Sequence, residues 1–122
     1  MILVDSSVWI DHFHKTDAHL SEILELSEVA VHPMVVGELA LGNIRNRKTV
    51  LELLSDLPIV ETARHSEVMA FIESHELYGR GLSFIDAHLL ASIAISPETL
   101  LWTRDKRLHA AAVEMHGAYE ID

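Results

Sequence analysis

Short apolar runs set far apart constrain this chain more than any other feature. Ile2-Leu3-Val4, Val29-Ala30-Val31, Ile59-Val60 and Leu100-Leu101-Trp102 are each too brief for a buried helix, and helically spaced apolar residues fill the intervals between them. Strands separated in this way cannot pair through tight hairpins, so they pair in parallel through helical crossovers. Trp9, Ile10 and Phe13 mark the first helix, which Ser6 or Ser7 is placed to cap. Leu20, Ile23 and Leu24 mark a second between Asp17 and Ser27. A third starts near His32-Pro33, proline being favoured in a first turn, and stops at Gly42. Val50, Leu51, Leu53 and Leu54 place a fourth within 46–56, and Val68, Phe71, Ile72 and Leu77 a fifth within 67–78. Residues 84–95 are apolar on nearly every side, the pattern of a central buried helix. The last long helix is expected from Lys106 to Met115, followed by an edge strand at Ala118-Tyr119-Glu120-Ile121. The fold class predicted is α/β, with a central, mainly parallel sheet of four to five strands covered by helices on both faces. No repeat, low-complexity run or linker divides residues 1–122, so a single domain is expected.

The 122 residues, 49% hydrophobic and 23% charged, suffice for one buried core. Cysteine is absent, which excludes disulfides, thiolate nucleophiles and zinc–thiolate sites. Met1-Ile2-Leu3-Val4 runs directly into Asp5, without the basic and apolar regions of a secretory leader, and no segment approaches the roughly eighteen apolar residues of a membrane span. A cytoplasmic protein without membrane contact is expected. The net charge of −10 opposes a polyanion at long range and favours a basic protein partner. Six of the nine lysines and arginines nevertheless fall in two clusters, Arg45-Arg47-Lys48 and Arg104-Lys106-Arg107, so local charge opposes the global sign.

Four acids stand where apolar segments end or turn into helices: Asp5, Glu38, Asp86 and Asp105. A charge beside a buried segment costs several kcal/mol unless it is paired or neutralised, and no basic residue recurs beside all four. In a parallel sheet the strand C-termini share one edge, where such folds place their sites, and Asp5 and Asp105 both follow strands. Clustered carboxylates without cysteine suit a hard cation such as Mg²⁺ or Mn²⁺, and the reaction such a site serves is phosphodiester hydrolysis. Nine histidines form no HExxH or zinc-finger spacing, and no Walker-type glycine loop is present. Trp9 and Trp102 are expected in the core.

The run Val4-Asp5-Ser6-Ser7-Val8-Trp9-Ile10, the segment Gly37-Glu38-Leu39, Asp86 on its apolar helix and Trp102-Thr103-Arg104-Asp105-Lys106-Arg107-Leu108 together resemble the PIN-domain ribonucleases, most closely the VapC toxins of toxin–antitoxin pairs. The resemblance spans essentially the whole chain, in order. It implies a PIN-like three-layer sandwich, a Mg²⁺- or Mn²⁺-dependent endoribonuclease site, a homodimer, and a small antitoxin that blocks the site. Position by position, Asp5, Glu38, Asp86 and Asp105 match the acidic quartet, with Asp5 and Asp86 the direct metal ligands. Ser6 and Thr103 match the polar residues that support it. Phosphate contact by Arg104, Lys106 and Arg107 is inferred from charge, and the antitoxin is expected to insert a basic side chain among the acids. Two other readings compete. A silent PIN-like binding module has no need of four clustered anions. A different Mg²⁺-dependent phosphoryl-transfer enzyme lacks its second aspartate, since Ser7 stands two positions after Asp5.

Overall fold

The computed structural model describes residues 1–121; Asp122, the end of the expected domain, lies outside them. Three parallel strands form the sheet: β1 (Ile2–Val4), β2 (Val29–Ala30) and β3 (Leu100–Trp102), in the order β2-β1-β3. Ile2 aligns with Val29 on one side and Leu100 on the other, and Val4 reaches Trp102. Successive strand residues point to opposite faces, yet all of β1 is buried, so both faces of the sheet are covered.

The expected four to five strands reduce to these three. The segments at 59–60 and 118–121 join the sheet only through the single parallel bridges Val31–Ile59 and Leu101–Ala118. On one side Pro58, which has no N–H, offers only its carbonyl to Val31, and Ile59 beside it is 66% exposed. On the other, Leu101 uses both its backbone groups at one point, donating to the Gly117 carbonyl and accepting from Tyr119 N–H. Such brief edges are ordinary protection against pairing with another chain.

Seven helices occupy the intervals among the described residues: α1 (Ser6–His14), α2 (Ala18–Glu25), α3 (Pro33–Ala40), α4 (Arg47–Ser55), α5 (His65–Ser74), α6 (Phe84–Ile95) and α7 (Lys106–Glu114). Every residue from Ala87 to Ile93 is buried, so α6 is the central helix its composition predicts. Leu3, Val8, Leu20, Leu39, Leu89, Leu90, Leu101 and Leu108 join helices and strands in one main core, and Val68, Ala87 and Ala91 form a small satellite where α5 meets α6. Trp9 and Trp102 are both in the core.

Candidate active site

Asp5 is the residue just after β1 and just before α1, and it is buried. It occupies the N-cap position, but its side chain caps nothing, and neither Ser6 nor Ser7 takes over that task. The hydroxyls of Ser7 and Thr103 instead both donate to Asp5 Oδ2, each at 2.7 Å. Ser7 Oγ also accepts the Arg104 N–H at 3.0 Å, and Thr103 Oγ1 accepts that of Asp105 at 3.0 Å. Adjacent strands β1 and β3 thereby fasten the first acid to the loop that carries the last.

Asp105 caps α7, its Oδ1 accepting from the N–H groups of Arg107 at 2.9 Å and Leu108 at 3.0 Å. Asp86 closes a capping box at the start of α6: Asp86 N–H donates to Ser83 Oγ, and Asp86 Oδ2 accepts the Ser83 N–H, each at 3.0 Å. One pattern unites the three aspartates. Each is fixed through one oxygen, and the other (Asp5 Oδ1, Asp86 Oδ1, Asp105 Oδ2) takes no hydrogen bond from a described residue.

Glu38, exposed on α3, lines a groove of about 510 Å³ with Ile10, Phe13, His14, Leu39 and Arg45. Desolvation raises its pKa, the charges of Asp5 and Asp86 raise it further, and the Ser6 hydroxyl offsets part of the rise. Asp86 is also raised, by burial first; the Ser83 hydrogen bonds oppose this, and the charges of Asp5 and Asp105 add to it. The four acids therefore share one electrostatic neighbourhood.

Their donor set is hard oxygen, with no thiolate in the chain, and it fits Mg²⁺ or Mn²⁺. Among the described residues no three His, Asp or Glu side chains are already drawn into a ligand cage.

Sequence reasoning named Ser6 and Thr103 as the supporting hydroxyls and missed Ser7. Ser6 acts on Glu38, whereas Ser7 holds Asp5, and the signal was the spacing of a hydroxyl two residues after an aspartate at a helix start. Of the three cations expected to contact phosphate, Lys106 and Arg107 are exposed in the first turn of α7. Arg104 is committed elsewhere, Nη1 to Asp11 and Nη2 to Asp17, both at 2.6 Å, which ties the β3–α7 loop to α1 and to the start of α2.

A family model described as the PIN domain matches residues 2–114. Ribonuclease VapC32 of Mycobacterium tuberculosis is 49% identical over 114 residues, which cover 93% of this chain and 92% of that protein. Among solved structures, PAE2754 from Pyrobaculum aerophilum superposes with a TM-score of 0.66 at 25% identity, over 97% of this chain and 87% of the other. FitAcB from Neisseria gonorrhoeae shares the fold at a TM-score of 0.57 and 20% identity, over 93% and 94% of the two chains. A parallel sheet with acids gathered at its carboxyl edge, a family match over almost the whole length and this close relative agree: the chain belongs to the PIN-domain family, in its VapC branch.

Proposed function

We propose that this protein is a metal-dependent endoribonuclease, the toxin of a toxin–antitoxin pair, which hydrolyses RNA phosphodiester bonds. The observation that supports the reading is pairwise: Glu38 feels the charges of Asp5 and Asp86, Asp86 feels those of Asp5 and Asp105, and each aspartate keeps one oxygen free of hydrogen bonds from described residues. The identity to a protein named a ribonuclease supports it. Bound Mg²⁺ or Mn²⁺ supplies positive charge against the phosphate and acidifies water.

Asp5 and Asp86 are the ligands proposed first, with Asp105 and Glu38 completing the set. Ser7 and Thr103 fix the Asp5 carboxylate so that its free oxygen needs no reorganisation to bind. Glu38, whose proton affinity is raised by partial desolvation and by its acidic neighbours, is suited to take the proton from attacking water. Lys106 stands beside Asp105 for a substrate phosphate. The partners proposed are RNA, a second copy of the chain, and a small antitoxin whose basic side chain enters the acidic cluster. No helix among the described residues is long and apolar enough to cross a membrane.

The test uses purified protein freed of any partner. Cleavage of structured RNA is expected with added Mg²⁺ or Mn²⁺ and not in EDTA. Asp5→Asn and Asp86→Asn are each expected to lower it by about a hundredfold or more with the fold intact by circular dichroism. Equal cleavage by the wild type and both variants would overturn the reading.

A further inference from the structure

We infer that Arg107 is a phosphate clamp for the RNA strand and that Gly81 is the positioning residue that seats it; the inference rests on the ribonuclease reading above. Two helices bring acids to the site from this side. α6 starts after Ser83 and carries Asp86, and α7 starts after Asp105. The loop entering α6 is joined to α7 at two points. Arg80 pairs with Glu114, Nη2 to Oε2 at 2.8 Å. Arg107 lies directly against Gly81: a Cβ at that position would come 2.5 Å from Nη1 and 3.0 Å from both Cδ and Cζ. A side chain at position 81 would push the guanidinium out of this place.

The two arginines differ in what they meet. Arg80 has a carboxylate partner, whereas the Arg107 guanidinium forms no ion pair with any described residue. In a chain of net charge −10, a cation left unpaired two residues after Asp105 is placed to bind an external anion. The guanidinium occupies the space a side chain at position 81 would take, so Gly81 keeps open the place from which it can meet a phosphate. Phosphate contacts position a strand without reading its sequence, which suits a site two residues from Asp105.

Nearby Gly79 supplies a matched control. Gly79 and Gly81 have φ of 72° and 77°, so alanine strains the backbone at either one, yet a Cβ at Gly79 meets nothing within 4 Å. Only Gly81→Ala displaces Arg107. The experiment measures initial rates on one structured RNA with Mg²⁺ over a range of KCl concentrations. It compares full-length wild type, Arg107→Ala, Arg107→Lys, Gly81→Ala and Gly79→Ala.

Arg107→Ala is expected to raise KM about tenfold with kcat little changed. It should also flatten the slope of log KM against log salt by about 0.7, the share of one phosphate contact on a single strand. Gly81→Ala reproduces both effects, Gly79→Ala neither, and Arg107→Lys restores the slope without restoring the whole of KM. A wild-type slope in Arg107→Ala overturns the clamp. Equal behaviour of the two glycine variants overturns the seat, and if Gly81→Ala does not fold, the two Arg107 variants still decide the clamp. A wild type that cleaves no RNA in Mg²⁺ or Mn²⁺ fails at the reading of function, before any variant is compared.

Discussion

His32 is 2% exposed; its Nδ1 accepts the Met34 N–H at 3.0 Å to cap α3, and its Nε2 has no partner among the described residues. Burial lowers its pKa to about 4, aided by the charge of His88, whose ring centroid is 5.7 Å away. The unfolded chain therefore takes up this proton near pH 6.5 while the folded one resists it to about 4. Stability from this group is complete above the unfolded value and lost as pH falls through that window, on the order of 3 kcal/mol. His32→Asn keeps a capping acceptor and removes the titration. Urea unfolding between pH 7 and 4 is expected to show a shallower acid loss for the variant than for wild type; parallel losses would refute the assignment. At this scale the acids were readable from sequence because each follows or interrupts an apolar run, which makes an unpaired charge conspicuous. Which of nine histidines are buried depends on how side chains meet across the core, and the letters themselves carry no sign of it.

Helix starts were readable, and helix ends were less so. Asp17, His32, Ser83 and Asp105 stand at N-caps with their side chains accepting a backbone N–H. The ends of α2, α5 and α7 instead turn on the left-handed residues Ser27, Glu76 and His116, with φ between 51° and 58°. Each is followed by a bond from the next N–H back into the last turn: Glu28 to Ile23, Leu77 to Ile72 and Gly117 to Ala112. Glycine is the usual sign of this stop, and none occupies those three positions, so the expected fifth helix overran its observed end at Ser74. The same geometry gives a stability prediction. Glu76→Gly and His116→Gly remove a Cβ from a strained conformation and are each expected to stabilise by about 1 kcal/mol. Thermal melting checks this, and an unchanged or lowered midpoint in both variants would count against it.

Across the whole molecule, the sheet gathers like charges that sequence-distant segments carry separately. Glu38 and Asp86 hold their protons to higher pH than they would in the unfolded chain. Stability from them is therefore greatest below the ordinary carboxylate range and falls as pH rises through it, so their repulsion weighs on the metal-free protein near neutrality. Asp86→Asn keeps an acceptor for the Ser83 N–H and removes the repulsion. In EDTA at pH 7 it is expected to gain on the order of 1 kcal/mol, a gain that disappears at acid pH. Added Mn²⁺ should then raise the melting temperature of wild type more than that of the variant. A variant less stable than wild type at pH 7 in EDTA would show that the cluster stores no such tension. The parallel architecture was foreseeable because brief apolar runs separated by helices admit little else; its narrow edges were not, since a single bridge and a strand look alike as letters. The Asp5–Thr103 hydrogen bond joins residues 98 positions apart, through β1 and β3 side by side. A ribosome making this chain thus extrudes an inert polymer until nearly a hundred residues past Asp5 have followed it, and the cell meets a working blade no sooner.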